Sequence, residues 1–516
     1  MHVSPVIVGS RPLSIAEVVA VARGGAEVVL ADEAVAAMQV SRAVIDELAA
    51  DAAPHYGVST GFGALATKHI PVDLRQQLQR SLVRSHAASS GPEVEREVAR
   101  ATMLLRLATL ATGRTGVRPV VAQTYATVLN AGLTPIIGEY GSLGCSGDLA
   151  PLAHCALVAM GEGDARTADG DLVSAAEALA VHGIEPVVLQ EKEGLALING
   201  TDGMLGMLSL AIHDLAALLM TADLAAAMSI EGLAGTDAVF AEDLLALRPH
   251  PGQATSAAIL RTVLEGSPVI AAHRTNGFTR VQDAYSLRCA PQVHGAARDT
   301  LDHARLVASR ELASAIDNPV ITLDGRVESN GNFHGAPLGY VLDFLAIAAA
   351  DVASMSERRT DRFLDSTRNG GLTAFLAHDP GVDSGHMIAQ YTQAGIVSEL
   401  KRLAVPASVD SIPTSAMQED HVSMGWSAAR KLRRSIDGLG RVLAIELITA
   451  ARGIELRGEG AAPVVGRVIE VLRTRVPGPG PDRYLSPEIA GAVELVQAGV
   501  LLTAAGLQEP NGSDQE

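Results

Sequence analysis

The sequence predicts a mainly α-helical protein built from long, closely packed helices. Hydrophobic residues make up 48% of the 516 residues, yet aromatic residues make up only 3%. A core of small aliphatic side chains suits packed helices better than a β-sandwich. Residues 203–233 form an apolar stretch that is too long for a strand. Leu74, Leu78 and Leu82 recur at a spacing of four, with His86 next in the series, which puts all of them on one helical face.

The elements are predicted in chain order from their boundary residues. Strands at residues 5–9 and 27–30 flank a helix that starts after Ser14, because Ser is a favoured N-cap residue. Asp169-Gly170 is a hairpin-turn signal, so residues 164–172 are predicted to form a hairpin. Two prolines and a glycine predict a loop over residues 249–253. The other predicted helices span residues 40–50, 73–89, 93–111, 119–131, 148–160, 203–233, 384–404, 421–456 and 487–504.

We divide the chain into three parts. Residues 1–114 are predicted to form a mixed α/β domain, and residues 115–506 a helical bundle domain. Residues 507–516 are polar and are predicted to form a disordered tail. The apolar stretch 203–233 carries His213, Asp214, Asp223 and Glu231, so we interpret it as a buried bundle helix and not as a membrane span.

Charge and cysteine content exclude several classes of function. The formal net charge is −18, which argues against nucleic acids and anionic membranes as partners. The three cysteines form no CxxC pair and are too few for a disulfide framework. The N-terminus has no basic region followed by an apolar run, so no signal peptide is predicted. These features together predict a cytoplasmic protein.

The most informative stretch is the glycine-rich run Gly141-Ser142-Leu143-Gly144-Cys145-Ser146-Gly147-Asp148. Dense glycine indicates a backbone held in a tight geometry. The run is not a nucleophile elbow, since Asp148 stands where the last glycine belongs, and it lacks the Gly-Lys-Ser/Thr of a phosphate loop. A Cys145 nucleophile with His154 as its base and a purely structural turn remain as alternatives. Asp148 is a plausible N-cap for the helix that follows.

The run, continued as Leu-Ala-Pro-Leu, resembles the prosthetic-group loop of the aromatic amino acid ammonia-lyases, most closely that of the histidine-specific members. The resemblance implies that the Gly147 nitrogen attacks the Cys145 carbonyl and that Ser146 loses water. The product would be 4-methylideneimidazol-5-one (MIO), an electrophile that needs no external cofactor. Cys145 replaces the more common alanine, which leaves a thiol on the ring without preventing its closure.

Other motifs carry the same resemblance into the N-terminal half. The string His55-Tyr56-Gly57-Val58-Ser59-Thr60-Gly61-Phe62-Gly63 is similar to a family loop whose tyrosine reaches the active site from a lid. Ser85-His86 is similar to the segment that lines the pocket for the substrate side chain. Asn199 is assigned by resemblance to the electrophile's carbonyl. On their own, these residues suggest a turn tyrosine, a core histidine and a helix cap.

Further motifs lie in the C-terminal half. The resemblance assigns Arg288 to the substrate carboxylate, for which a planar bidentate donor is suited, and places Tyr285 opposite the methylidene group. Asn318 and Phe333 are implied to lie near the electrophile. The resemblance also assigns Gln282, Gln418 and Glu419 to the pocket. Glu419 is expected to contact the imidazole of the substrate. The alternative roles are a surface charge for Arg288, core packing for Phe333 and a helix-dipole partner for Glu419.

The resemblance implies non-oxidative deamination of L-histidine to trans-urocanate and ammonia by a carbon–nitrogen lyase. It also implies a long-helix bundle of the fumarase/aspartase-like superfamily and a homotetramer with shared active sites. Tyr56 is the expected base for the β-proton, with Tyr285 and Glu419 as competing candidates. A tyrosine or phenylalanine ammonia-lyase or aminomutase and a non-catalytic homologue remain as alternatives. A fumarase-type lyase would lack the triad Cys145-Ser146-Gly147. No metal site is predicted.

Overall fold

The computed structural model describes residues 4–51, 53–61, 63–275 and 281–507. Most of the predicted tail, residues 508–516, and Phe62 of the Tyr56 loop lie outside the described residues. The described chain is mainly helical, as predicted. Its helices α1–α20 are Ile15–Ala22, Asp32–Ala50, Arg75–His86, Arg96–Ala111, Pro119–Asn130, Leu149–Ala159, Ala175–Val181, Glu193–Ile198, Asp202–Gly232, Glu242–Ala246, Pro251–Leu264, Pro268–Thr275, Tyr285–Arg288, Ala290–Leu312, Ala336–Leu364, Met387–Leu403, Gly425–Arg457, Pro463–Leu472, Ser486–Gln497 and Val500–Ala505.

The strands are short and belong to four small sheets. The first sheet is parallel and pairs Val6 with Val28; the other pairs are antiparallel. Strands β1–β9 are Val6–Val8, Val28–Leu30, Ser90–Glu93, Thr134–Pro135, Gly138–Tyr140, Asp164–Arg166, Leu172–Ser174, Val320–Ile321 and Val327–Glu328. The predicted strands at the N-terminus and the predicted hairpin are therefore present, and Gly170 of the hairpin turn has a φ of +93°.

The chain forms two compact units. The first comprises Met1–His213, Arg305–Asp343 and Pro406–Arg430, and the second comprises Asp214–Ala304, Phe344–Val405 and Lys431–Glu516. The predicted division into residues 1–114 and 115–506 does not follow these units and stays a prediction. In the second unit, a fully buried ion pair joins Arg359 to Glu446, with 2.9 Å between Nη2 and Oε2.

Some boundaries differ from the predictions for local reasons. Helix α1 starts after Ser14 with a complete capping box, as expected. Pro251, predicted as loop, is instead the first residue of α11, where its missing N–H costs nothing. The single helix predicted over residues 487–504 is two helices, since Gly499 between them adopts a φ of +66°.

The long apolar helices are core elements. Helices α9 and α15 are long and apolar enough to cross a membrane by length and composition alone. However, 83% and 61% of their most apolar windows are buried within the protein. The prediction that residues 203–233 form a buried helix is therefore confirmed.

One small sheet and helix α6 flank the glycine-rich run. Strand β5 ends at Tyr140, directly before the run, and α6 starts at Leu149, directly after it. Strand β5 pairs with β3, and β3 follows the last residue of α3, His86, by a few residues. The sheet therefore brings the segment that follows His86 close to the start of the glycine-rich run.

Candidate active site

The glycine-rich run forms a tight loop that closes against Gly200. Gly147 has a φ of +81°, a conformation that L side chains rarely adopt. A Cβ added to Gly147 would overlap the Gly200 carbonyl group. The next amide, Asp148 N–H, donates to the same carbonyl oxygen at 2.7 Å. Only glycine fits position 147 in this geometry.

Two hydrogen bonds from residues 423–424 hold the first half of the loop. Gly144 has a φ of +70° and its carbonyl accepts a hydrogen bond of 3.2 Å from the Ser423 hydroxyl. The Met424 N–H donates to the Leu143 carbonyl at 3.0 Å. The segment at residues 423–424 therefore clamps the loop. Ser423 was not singled out in the sequence, because a serine more than 270 positions away gives no local signal.

Asp148 is fully buried beside the loop. It stands at the N-cap position of α6, but its side chain makes no capping hydrogen bond. Its carboxylate instead accepts hydrogen bonds of 2.8 Å from the Ser142 hydroxyl and from the Met204 N–H. Burial raises the pKa of Asp148 to about 7, although these hydrogen bonds act in the opposite direction. The carboxylate links the loop to the first turn of α9, and the N-cap prediction for its side chain is wrong.

Ser146 and Glu419, predicted separately, are brought together. The Ser146 hydroxyl donates to Glu419 Oε1 at 3.2 Å, and the Thr414 hydroxyl donates to Oε2 at 3.1 Å. Thr414 and Glu419 also pair through their backbones and close a turn. Three residues of this turn, Ser415–Met417, have φ values between +52° and +69°. Since such strain often lies at functional sites, the turn is a device that presents Glu419 to the loop. Helix α17 starts only at Gly425, so Glu419 does not lie in the first turn of this helix.

Cys145 is half-buried beside the same carboxylate. Burial raises the pKa of the Cys145 thiol to about 12, and the neighbouring Glu419 adds to the shift. A thiol with this pKa stays protonated and is a poor nucleophile. His154, the alternative base, has its Nε2 2.8 Å from the Ser89 hydroxyl. The geometry therefore does not favour a Cys–His nucleophile.

Asn199 and Asn318 are also in contact. The Asn199 side-chain amide donates to the Asn318 carbonyl at 2.9 Å. Asn199 does not cap α9, which starts three residues later, at Asp202. The adjacent Asp317 is fully buried, and its Oδ2 lies 2.5 Å from Lys192 Nζ. This ion pair fixes the segment that carries Asn318.

Tyr56 and His86 lie in the same unit. The Tyr56 hydroxyl accepts a hydrogen bond of 3.3 Å from the Gly63 N–H, across the loop. His86 is half-buried, and its Nδ1 lies 2.9 Å from the Leu82 carbonyl oxygen. Because a carbonyl can only accept, Nδ1 carries the hydrogen, and Nε2 of the neutral ring is the acceptor. This tautomer suits a partner that donates an N–H.

Phe333 and Gln418 are the other predicted site residues of the first unit. Phe333 is half-buried and Gln418 is exposed. His334 and His421 follow these motifs, and their rings stack with a nitrogen–nitrogen distance of 3.2 Å. Their contact joins the two segments that carry Phe333 and Glu419, which the sequence did not indicate.

Gln282, Tyr285 and Arg288 belong to the second unit. Gln282 is exposed and precedes α13, whereas Tyr285 and Arg288 lie in this single helical turn. The Arg288 guanidinium carbon lies 4.7 Å from the centre of the Tyr285 ring. Its Nε is buried without a hydrogen-bond partner among the described residues. This donor is available for an acceptor such as a carboxylate.

No group of three or more His, Cys, Asp or Glu residues within residues 4–51, 53–61, 63–275 and 281–507 could hold a metal ion. The roles of the individual site residues stay predictions. The first unit nevertheless contains the tight loop at Gly147, the hydrogen bond from Ser146 to Glu419 and the contact between Asn199 and Asn318.

Comparison with known proteins defines the class as a helical lyase. The sequence model of the family described as aromatic amino acid lyase matches residues 13–474, and the chain belongs to this family of carbon–nitrogen lyases. A histidine ammonia-lyase from Streptomyces avermitilis is 65% identical over 97% of the chain and 98% of the relative. A histidine ammonia-lyase from Sorangium cellulosum is 48% identical over 96% of the chain and 98% of the relative.

Solved structures share the fold over nearly the whole chain. A tyrosine aminomutase from Streptomyces globisporus superposes with a TM-score of 0.92 at 38% identity and covers 97% of this chain and 98% of its own. A histidine ammonia-lyase from Trypanosoma cruzi gives a TM-score of 0.90, also at 38% identity, and covers 98% of this chain and 96% of its own.

Proposed function

We propose that the protein is a histidine ammonia-lyase that converts L-histidine to trans-urocanate and ammonia. The observation that carries the proposal is the loop around Ser146. The residue after Ser146, Gly147, must be glycine, and the Ser146 hydroxyl donates a hydrogen bond to the Glu419 carboxylate. We also propose that Cys145, Ser146 and Gly147 condense to the MIO group that the family is known to use.

The three residues fit the group. Ring closure joins the Gly147 nitrogen to the Cys145 carbonyl carbon, and a side chain at position 147 would collide with Gly200. Ser146 carries the β-hydroxyl whose loss leaves the methylidene carbon. The Cys145 side chain takes no part in the ring, so a thiol is as compatible as the methyl group of alanine. The group supplies an electrophile that captures the substrate amine and makes it a better leaving group.

The chain's own residues bind and orient the substrate in this proposal. Arg288 binds the carboxylate through its planar guanidinium. His86 accepts an imidazole N–H at Nε2, and Glu419 meets the other side of the ring. Tyr56 takes the β-proton; Tyr285 and Glu419 are the competing bases. Polar groups of these kinds would be poorly satisfied by a phenyl ring, which is why histidine is favoured over phenylalanine.

Five further residues are proposed to complete the pocket. Asn199 would donate a hydrogen bond to the electrophile's carbonyl through its side-chain amide, Asn318 would lie nearby, and Phe333 would pack against the ring. Gln282 and Gln418 would bind the substrate's polar groups.

The fold alone does not separate histidine from tyrosine as substrate. The tyrosine aminomutase and the histidine ammonia-lyase structures are equally identical in sequence to this chain. The support for histidine is the 65% identity to a histidine ammonia-lyase over nearly the whole length, together with His86 and Glu419.

The test is an absorbance assay for urocanate with histidine, tyrosine and phenylalanine side by side. We expect histidine to be deaminated fastest, and Ser146→Ala to abolish the reaction. The mass of the peptide that contains residues 145–147 should be lower by two water molecules than the encoded mass. Faster turnover of tyrosine would refute the substrate assignment, and an active Ser146→Ala variant would refute the prosthetic group.

We further propose a cytoplasmic homotetramer with shared active sites. The described cysteines are all free thiols, as in a reducing compartment. An apolar groove of about 520 Å³ lies within the second unit and includes the half-exposed Phe344 and Ile347. Such patches commonly mark protein–protein interfaces.

A further inference from the structure

The hydrogen bond between Ser146 and Glu419 exists only until the prosthetic group forms. The hydroxyl that donates to Glu419 at 3.2 Å is the one that leaves when Ser146 is dehydrated. After maturation the donor no longer exists, so this contact can serve only the newly folded chain. The position of the Glu419 carboxylate is nevertheless fixed by two further contacts, the hydrogen bond from the Thr414 hydroxyl and the backbone pairing of Thr414 with Glu419.

Maturation releases two molecules of water. In the first step the Gly147 nitrogen bonds to the Cys145 carbonyl carbon, and the carbonyl oxygen leaves with the amide hydrogens of Gly147 and Ser146. In the second step the Ser146 Cβ–Oγ bond breaks, and Oγ leaves as water with one added proton. The Ser146 Cα–H is lost at the same time, which creates the exocyclic double bond. No oxidant or reductant is needed.

The second step requires an acid, because hydroxide is a poor leaving group. We propose that Glu419, protonated at Oε1, is this acid. In this form the 3.2 Å contact runs in the opposite direction, with the carboxyl O–H donating to Ser146 Oγ while Oε2 still accepts from Thr414. Before any substrate binds, the proton passes to Ser146 Oγ as the Cβ–Oγ bond breaks. The Cα proton is released to water and restores the protonated Glu419, so the protons balance. Thr414 is the positioning residue that holds the carboxyl group against Ser146. This inference rests on the proposed function and gives Glu419 a task earlier than its role towards substrate.

The two neighbouring carboxyl groups, those of Asp148 and Asp420, are less suited to this task. Asp148 is fully buried, and its two oxygens accept hydrogen bonds from Ser142 and Met204 and not from Ser146. Asp420 is exposed, and its side chain has no hydrogen bond to the loop among the described contacts. Glu419 is the carboxylate that contacts the reacting oxygen.

The experiment measures maturation directly and does not depend on turnover. Wild type, Glu419→Gln and the charge-matched control Asp420→Asn are sampled at intervals after induction. The peptide that contains residues 145–147 is then analysed by mass spectrometry. In Glu419→Gln we expect a folded chain that has lost one water by cyclisation and keeps the Ser146 hydroxyl. Loss of the second water should be slower by about 10²-fold, while Asp420→Asn should mature as wild type does.

Each outcome decides a different claim. Loss of both waters from Glu419→Gln at the wild-type rate would overturn the inference and leave the proposed function intact. Loss of neither water in a folded variant would also overturn it, because the assigned step is the second one. A wild-type peptide with the full encoded mass would refute the proposed function itself.

Thr414→Val is the second variant, and it is decisive if Glu419→Gln does not fold. It keeps the carboxyl group but removes one of the bonds that hold it, so the cyclised, hydrated peptide should accumulate transiently. Wild-type kinetics in this variant would count against the inference. A dependence of the second step on pH in wild type that is absent in Glu419→Gln would separate an acid from a purely structural residue.

Discussion

The Ser142 hydroxyl donates to the Asp148 carboxylate at 2.8 Å inside a site that is closed to solvent. Burial raises the pKa of Asp148 to about 7. The carboxyl group is therefore protonated in the folded chain at pH values where the unfolded chain is already ionised. Folding takes up a proton at this position, and stability depends on pH for that reason.

The first prediction follows from the sign of this shift. Because the folded pKa is the higher one, the contribution of Asp148 is fully present below pH 4 and falls as the pH rises to about 7. Asp148→Asn removes the titration and can keep both hydrogen bonds. Between pH 5 and pH 8, the stability of wild type relative to the variant should decrease by about 3 kcal/mol. Urea unfolding at both pH values measures this difference, and parallel pH profiles would contradict it.

The second prediction concerns the glycine that the loop requires. Gly147→Ala places a Cβ on the Gly200 carbonyl and forces an alanine to a φ of +81°. We expect this variant to retain both waters and to lose activity. Gly466→Ala is the control, because its added Cβ meets nothing within 4 Å in helix α18. The control should be fully matured and no less stable than wild type. Normal peptide mass loss in Gly147→Ala would show that the loop rearranges before it cyclises.

The third prediction concerns the thiol at Cys145. Its side chain lies outside the predicted ring, and burial keeps the pKa of the thiol near 12. Cys145→Ala should therefore mature completely and keep the rate of histidine deamination to within a few-fold. In wild type the thiol should react slowly with iodoacetamide at pH 8, compared with the same peptide after denaturation. A large loss of maturation in Cys145→Ala would show that the sulfur contributes to cyclisation.

Much of the fold was predictable because it depends on local patterns. The capping box at Ser14 and the apolar composition of α9 each specify an element from neighbouring residues. The division of residues 487–504 into two helices was missed because Gly499 adopts a left-handed conformation that composition does not reveal. The pairing of Ser146 with Glu419, and the clamp from Ser423, join positions more than 270 residues apart. Such contacts depend on the tertiary fold and leave no periodic trace in the sequence.

The fourth prediction concerns the buried ion pair below Asn318. Lys192 and Asp317 are both fully buried, and burial lowers the pKa of the lysine and raises that of the aspartate. Lys192→Met leaves the carboxylate without its partner and should lower the free energy of unfolding by about 3–5 kcal/mol. The double variant Lys192→Met/Asp317→Leu should recover much of this loss. A double variant as unstable as the sum of both single changes would show that the two charges act independently.

The fifth prediction tests the proposed self-association. The groove in the second unit runs between α14 and α15. Apolar side chains form most of its lining, among them Ile347, which is 46% exposed, and Asp299, Thr300, His303 and Asp351 form the rest. If a second copy covers the groove, Ile347→Glu buries an unpaired charge in the interface and should shift the protein to a smaller assembly. Leu323→Glu is the matched control, because Leu323 is 88% exposed between β8 and β9 and does not line this groove. Light scattering after gel filtration measures both masses. An unchanged mass for Ile347→Glu would mean that the groove faces solvent. A decrease in both variants would point to a general loss of folding, which thermal unfolding of each variant would reveal.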